Sequence, residues 1–407
     1  MLKSIYHTIW PILAFTFSLN MAVAQEKYQT VFEKLNPRKT GVSFKNQLKE
    51  DSQNNILRYE YFYNGGGVAV GDLDGDGLDE IFFTGNMTGN KLYRNLGNLR
   101  FEDITKSAGV SGKDSWTTGV SFADVNGDGL LDIYVCYSGK GPAETRQNEL
   151  WINLGNLKFE EKAADFGLAD QSNSTQGLFF DFDRDGDLDL YLLNHNTEVI
   201  SEIQFDEVRA RRHPTAGDKL YRNDDGKFVD ISDSAGIKGT GLGFGLSVIA
   251  SDINGDDWPD LLVTNDYIEP DYLYINNGDG TFTDQMQDYL QHISHFSMGA
   301  DIADLNHDGR PEIFTLDMLP EDNERQKLLY GPENYEQYNL MLSRNFYHQL
   351  MRNMLHLNHG EGLFSEIGQM AGISNTDWSW AGLFSDFDNP KTLGRHMDFP
   401  IIKQSND

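Results

Sequence analysis

One cysteine, Cys136, stands among 407 residues, so no intrachain disulfide is available and stability falls to packing and to whatever metal the chain binds. Its surroundings, Ile133-Tyr134-Val135-Cys136-Tyr137, read as a buried strand, which predicts a structural thiol rather than a reactive one. Positive charge is scarce as well: 33 lysines and arginines stand against 63 aspartates and glutamates, a formal charge of −30. That balance excludes nucleic acid and anionic membranes as partners, because both would be repelled, and it favours cations. Arg209, Arg211, Arg212 and His213 form a local basic exception that reads as a solvated loop face. Long apolar runs are also missing. Beyond the N-terminus nothing approaches the roughly 18 apolar residues of a spanning helix, so no transmembrane segment is expected.

At the N-terminus, Lys3 precedes an apolar stretch through Ile9, Trp10, Ile12, Leu13, Ala14, Phe15 and Phe17, and Ala22-Val23-Ala24 closes it. This layout predicts an export signal over residues 1–24, cleaved after Ala24, and hence a secreted, periplasmic or cell-envelope protein. Pro11, Ser18 and Asn20 interrupt the stretch and argue against a retained anchor. No cysteine follows the cut, so lipid attachment there is not expected.

Glycine, acid and repetition are what the chain has in quantity. One segment order keeps returning: a Gly-rich strand, an acidic loop, an apolar strand, an Asn-rich hairpin and a strand ending in polar residues. The acidic loops begin at Asp72, Asp124, Asp181, Asp252, Asp304 and Asp386, and the third and fifth intervals are longer than the rest. In the first unit, Gly65-Gly66-Gly67-Val68-Ala69-Val70 leads into Asp72, and Ile81-Phe82-Phe83-Thr84 follows Glu80. Lys91-Leu92-Tyr93-Arg94 and Leu99-Arg100-Phe101-Glu102 then flank an Asn/Gly turn. Counterparts of that hairpin begin at Leu150, Leu220, Leu273 and Leu355, which makes five complete units.

Four-stranded units of this length predict an all-β fold, a β-propeller of radial blades over residues 64–389. Unlinked β-sandwiches fit less well, since each needs about seven strands. The segment 25–63 precedes the blades, and its Gly41-Val42-Ser43-Phe44 is expected to supply a ring-closing strand. Two insertions break the rhythm. Residues 194–219 are polar and read as a long surface loop, whereas residues 320–353 read as partly helical and mounted on one face of the array.

The acidic loops follow D-x-[DN]-x-D-G-x-x-[DE], with carboxylates or amides at positions 1, 3 and 5 projecting from a tight turn and an acid at position 9. Oxygen donors in that number suit Ca²⁺, at about five sites. The proposed ligands are Asp72, Asp74, Asp76 and Glu80; Asp124, Asn126, Asp128 and Asp132; Asp181, Asp183, Asp185 and Asp189; Asp252, Asn254, Asp256 and Asp260; and Asp304, Asn306, Asp308 and Glu312. Carbonyls at position 7, such as those of Leu78 and Leu130, are expected to complete each shell. An EF-hand is excluded, because position 12 is Phe83, Val135, Leu192, Val263 or Thr315 instead of Glu, and β-like residues follow. Asp257 replaces the turn glycine in the fourth loop, where aspartate tolerates left-handed backbone better than most residues.

With these loops, Phe244-Gly245 and the recurrent glycine-rich strand, the sequence resembles the FG-GAP/VCBS repeat family, which includes the integrin α-subunit propeller. Gly66-Gly67-Val68-Ala69-Val70-Gly71-Asp72, Trp116-Thr117-Thr118-Gly119-Val120 and Asn375-Thr376-Asp377-Trp378-Ser379-Trp380 look more narrowly like the secreted ASPIC/UnbV, cartilage acidic protein-like proteins. The likeness runs over about residues 40–389 and implies a seven-bladed, calcium-binding ring, commonly followed by a further ASPIC/UnbV domain. The sixth loop starts in pattern as Asp386-Phe387-Asp388-Asn389 but continues Pro390-Lys391-Thr392. The expectation is therefore a truncated or frameshifted propeller with an aberrant tail at 390–407, the rival being a degenerate final blade.

Function is less legible than fold. The leading expectation is an exported calcium-binding module for adhesion to an extracellular protein or glycan. A calcium-dependent propeller lyase or hydrolase acting on polysaccharide is the enzymatic alternative, but the ten histidines are scattered and neither a nucleophile elbow nor a zinc motif occurs. A structural segment of a larger surface protein is the third reading. Trp378 and Trp380 are expected in the core, and Asn86-Met87-Thr88 and Asn173-Ser174-Thr175 match glycosylation sequons.

Overall fold

The structure, a computed structural model, describes residues 33–385 except 330 and 332, together with 401–403. The export signal and the sixth acidic loop lie outside the described residues. Five four-stranded antiparallel sheets follow one another along the chain, each in simple meander order. They comprise β1 (Val68–Gly71), β2 (Glu80–Phe83), β3 (Lys91–Asn95) and β4 (Phe101–Asp103), then β5 (Thr117–Ala123), β6 (Asp132–Tyr137), β7 (Glu149–Asn153) and β8 (Phe159–Glu161). The third sheet holds β9 (Ser174–Phe180), β10 (Asp189–Asn194), β11 (Lys219–Asn223) and β12 (Phe228–Asp230), and the fourth β13 (Gly245–Ser251), β14 (Asp260–Asn265), β15 (Tyr272–Asn276) and β16 (Phe282–Asp284). After β17 (Ile293–Ser294), the fifth holds β18 (Gly299–Ala303), β19 (Glu312–Leu316), β21 (Met354–Asn358) and β22 (Phe364–Glu366), while β20 (Gln349–Leu350) pairs in parallel with β17. A sixth lead strand, β23 (Ser379–Gly382), pairs with β24 (Ile401–Lys403), so part of the tail at 390–407 carries a strand.

Behind the acid that opens each of them, the second strands are mostly apolar, and in the inner sheets both of their faces meet neighbouring sheets. Leu73, Phe82 and Leu92 of the first sheet meet Ile133, Val135 and Tyr137 of the second, and an equivalent cluster fills each later interval. Cys136 is fully buried in the second of them, as its strand context predicts. The lead strands neighbour one another at close range, which is why they are rich in glycine. A Cβ on Gly119 would lie 2.3 Å from the Thr175 carbonyl oxygen, and one on Gly67 would lie 2.9 Å from that of Thr118. Hydroxyls stitch the lead strands together: Thr118 Oγ1 donates to the Ser174 carbonyl at 2.6 Å and Thr175 Oγ1 to that of Gly245 at 2.9 Å. Gly67, Thr118, Thr175, Leu246, Met298 and Trp380, from or beside six successive lead strands, line one cavity of about 280 Å³.

The acidic loops all join first strands to second strands, so they share one rim of the array. Both insertions join second strands to third strands and therefore share the opposite rim. The first is not the plain loop that its polarity predicts. It contains a short helix, Phe205–Arg209, and grips the second insertion: Phe205 and Phe346 meet edge to face at 5.9 Å, and Arg344 pairs with Asp206 at 3.2 Å. Leu242, Met341 and Phe346 form the buried centre of this clasp. The second insertion is partly helical as expected, over Asn323–Leu329 and Glu333–Ser343.

Gly41-Val42-Ser43-Phe44 forms no strand. Gly41 is left-handed (φ 85°) and Thr40 Oγ1 accepts the Val42 N–H, which breaks the extended ladder. Phe44 instead stacks on Phe83 at 4.9 Å, covering part of the face that the first sheet turns away from the second. Val68 and Val70, on that same face by strand alternation, remain 57% and 59% exposed. Further along the N-terminal segment, Tyr59 and Tyr61 are buried against Trp116 and Phe244 and line the cavity between the lead strands. Neither Trp378 nor Trp380 joins the core: Trp378 is 44% exposed, and Trp380 sits on the short strand β23 facing the cavity. Both sequon asparagines are buried, and Asn86 donates to the Gly65 and Thr117 carbonyls, so the folded chain has no room for a glycan at either.

Candidate metal centres

Every acidic loop is a set of nested turns closed by its own carboxylates. Asp72 accepts the Gly75, Asp76 and Gly77 N–H groups, and Asp252 accepts those of Gly255, Asp256 and Asp257. Asp124 and Asp304 accept the N–H groups of positions 5 and 6 alone, and Asp181 accepts the Gly186 N–H. Position 5 then accepts the N–H of position 7: Asp76 from Leu78, Asp128 from Leu130, Asp185 from Asp187, Asp256 from Trp258 and Asp308 from Arg310. These bonds turn the side chains of positions 1 and 5 into the loop.

The turns demand left-handed backbone at positions 4 and 6. Glycine fills most of these sites, but Arg184 (φ 60°), His307 (φ 61°) and Asp257 (φ 68°) do not have its freedom. Relieving His307 is the clean case, since its exposed side chain makes no hydrogen bond or ion pair among the described residues. His307→Gly is expected to raise stability by about 0.5–1 kcal/mol, read as a higher urea midpoint at unchanged slope.

Position 9 is built differently from the others. Glu80, Asp132, Asp189, Asp260 and Glu312 are at most 1% exposed. One oxygen of each accepts the N–H of position 2, at 2.7–3.1 Å: Leu73, Val125, Phe182, Ile253 and Leu305 in turn. In the first four, the other oxygen accepts the N–H of an asparagine ending the third strand: Asn95, Asn153, Asn223 or Asn276. Those asparagines reach onward through Nδ2, and Asn153, Asn276 and Asn358 bond the Leu73, Phe182 and Ile253 carbonyls of preceding acidic loops. The position-9 acid thus pins its loop to the third strand, whatever it does for a cation. Burial, reinforced by the other loop carboxylates, pushes Asp132 and Asp260 up to about 6 and Asp189 up to about 7, against the pull of their backbone donors.

Two loops bring three carboxylates within ligand distance of one another: Asp72 with Asp74 and Glu80, and Asp181 with Asp183 and Asp185. In the other three, position 3 is an amide, Asn126, Asn254 or Asn306, which supplies a neutral oxygen in the same place. Buried oxygens without a hydrogen-bond partner occur in the two all-carboxylate loops, at Asp74 Oδ1, Asp181 Oδ1 and Asp187 Oδ1. An unpartnered buried carboxylate oxygen is costly unless something positive meets it, so the donor set fits a hard cation at these loops.

Sequence reasoning missed several members of this machinery. Asp187, at position 7 of the third loop, adds a side-chain oxygen where only a carbonyl is expected, and burial with four neighbouring aspartates raises it to about 6. Arg94, from β3, already bonds Asp74 at 2.9 Å and so offsets part of the first loop's charge. Arg184 and the Trp258 ring, 5.5 Å apart, couple the third loop to the fourth. At the opposite end of each sheet, Asn90, Asn148, Asp218, Asp271 and Asn353 accept the N–H of Gly85, Tyr137, Asn194, Asn265 and Asp317 in turn. Their signal was present: each stands immediately before a third strand in an [ND]-x-L pattern.

Burial holds Asp218 and Asp271 up at about 7. A carboxyl raised in the folded state contributes stability at pH below its unfolded value of about 3.9, and that contribution is lost as pH rises through about 7. Metal-free protein is therefore expected to be more stable at pH 5 than at pH 8. Asp218→Asn should flatten the difference, because Asn148 already fills the equivalent place, donating to the Tyr134 hydroxyl at 3.0 Å. Denaturant midpoints at the two pH values read the effect, and a wild-type midpoint higher at pH 8 would count against it.

At the cavity between the lead strands, Ser138 Oγ lies 2.6 Å from His195 Nε2, and the Tyr59 hydroxyl lies 3.2 Å from the same nitrogen. Among the described residues His195 Nδ1 has no hydrogen-bond partner, no carboxylate orients the ring, and burial drives it down to about 3.

A family profile described as FG-GAP-like repeat matches residues 61–135 and 252–315, the first sheet into the second and the fourth into the fifth. Among curated proteins, the chain is similar to cartilage acidic protein 1 of Mus musculus, 28% identical over 204 residues, which is 49% of this chain and 29% of that protein. The Homo sapiens protein of the same name is 28% identical over 208 residues, 50% of this chain and 28% of that one. The match thus spans under a third of the curated relatives' length. Among solved structures, the V. cholerae biofilm matrix protein Bap1 aligns over 73% of this chain and 38% of its own, at 18% identity and a TM-score of 0.37.

Proposed function

For a chain that carries FG-GAP-like repeats and is homologous to cartilage acidic protein 1, we propose the role of an exported, calcium-bound β-propeller module that binds an extracellular protein or glycan. The observation that carries this reading is the division of labour between the rims. On one rim, five loops are folded by their own carboxylates around oxygen donors, three of which lack any partner. On the other, the two insertions are clasped into a structured surface. Calcium in the loops would neutralise repelling aspartates and stiffen the sheets, and the opposite rim would present the ligand-contacting surface. Asp72, Asp74, Asp76 and Glu80, with their counterparts in the other four loops, would hold the ions.

Arrays of glycans and of extracellular matrix proteins, probed with the purified secreted chain in calcium and again after chelation, test the role. Saturable binding that weakens on chelation is expected. A folded, calcium-loaded protein that binds nothing on either array, or that depolymerises a polysaccharide, would sink it.

A further inference from the structure

We propose that a cleft on the rim away from the acidic loops binds an acidic saccharide, a sugar unit bearing a carboxylate or sulfate; this deepens the binding-module reading and rests on it. The cleft has a volume of about 630 Å³, within the roughly 300–1,000 Å³ range of ligand sites. It lies between the N-terminal segment at 53–62, the approach to β5 and the β6–β7 connection.

Its aromatic base is fixed in advance. The Trp116 ring meets Tyr59 edge to face at 5.4 Å and leans on Phe62 at 5.4 Å. Tyr59 is in turn held through its hydroxyl by Ser138 and His195, each at 3.2 Å. A platform already ordered costs a ligand little on binding, and a flat ring suits the apolar C–H face of a sugar.

Charge gives the ligand its sign. Arg58 and Lys140 line the cleft, both exposed, and neither makes an ion pair among the described residues. In the basic cluster of the first insertion, by contrast, Arg209, Arg211 and Arg212 are taken up by Glu269, Glu207 and Asp233. Asp114 is the single carboxylate of the lining, so the cleft carries a local positive balance in a chain of charge −30. Asp51 lies beside the cleft but is turned onto the Gln53 and Asn54 N–H groups, and screening within about 8 Å at physiological salt weakens the acids farther off. The strands present their ends here, with no free edge for a peptide to extend, whereas the Gln53 amide and Ser115 hydroxyl can meet sugar hydroxyls.

Calorimetric titration of the calcium-loaded chain with a galacturonate trisaccharide, a sulfated chondroitin tetrasaccharide, a neutral galactose trisaccharide and a glutamate peptide tests the assignment. At least one acidic sugar should bind tenfold or more tightly than the neutral one and the peptide. Arg58→Ala/Lys140→Ala should remove that preference while leaving the calcium-dependent melt unchanged, and Trp116→Ala should weaken acidic and neutral sugars alike. Because Trp116 also packs inward, the double cation variant is the deciding one. Acidic-sugar affinity that survives it but falls in Asp74→Ala would place the sugar at a loop ion and overturn the site, leaving the module reading intact. A preference for the neutral sugar or the peptide, or no binding to any probe, would equally overturn it, and array binding to another ligand would still uphold the broader role.

Discussion

Stripping calcium from the purified protein is expected to lower its thermal midpoint by about 9 °C. A loop site with a dissociation constant of roughly 0.1 mM gains about 1.4 kcal/mol from 1 mM Ca²⁺ by mass action, so five independent loops gain about 7 kcal/mol. Unfolding entropies of about 2.1 cal/mol/K per residue give a chain of this length about 0.8 kcal/mol/K, which converts that gain to the stated shift. The loops need not contribute equally. Asp181, Asp183, Asp185 and Asp187 put four carboxylates into one turn, whereas the second, fourth and fifth loops hold an amide at position 3. Asp183→Ala should therefore cost more than Asn126→Ala in calcium, and each should lower the bound stoichiometry by one ion. Melts in calcium and in chelator, with ion counting by titration, read both results, and an unchanged midpoint would remove calcium from the account.

Asp260→Ala is expected to cost about 3 kcal/mol whether or not calcium is present. Its two oxygens accept the Ile253 N–H at 2.9 Å and the Asn276 N–H at 2.8 Å in a site closed to solvent. Truncation orphans both donors, each worth about 1–3 kcal/mol when buried unsatisfied, and the relief of a desolvated charge returns only part of that. Asn276 is also the residue whose Nδ2 bonds the Phe182 carbonyl at 2.8 Å, so the loss should loosen the third sheet against the fourth. Asp256→Ala, in the exposed turn of the same loop, should by contrast cost about 1.4 kcal/mol in calcium and much less without it. Urea midpoints of the two variants in both buffers separate a structural pin from a metal ligand. An Asp260→Ala penalty confined to calcium buffer would show that position 9 serves the ion alone.

The sequence by itself determined the units, because each is specified within its own fifty or so residues. Strand, acidic turn, strand and Asn/Gly hairpin are local hydrogen-bonding choices, and the five four-stranded sheets fall where the repeats place them. Asp257 in a left-handed turn and Cys136 inside a strand were legible for the same reason. Tertiary structure alone decided what depends on distant partners. The position-9 acid reads as one more loop oxygen until the third strand brings an asparagine N–H to it. The first insertion reads as polar loop until Phe346, far along the chain, gives Phe205 something to bury against. Gly41-Val42-Ser43-Phe44 has the pattern of a strand, yet Gly41 is left-handed and Phe44 stacks on Phe83 instead of extending a ladder. Tyr59 and Trp116, separated in sequence by a whole sheet, meet only because consecutive lead strands pack side by side, and their meeting makes the base of the cleft. Periodicity fixes which groups a segment offers, while the neighbours that satisfy them are set by how the sheets pack.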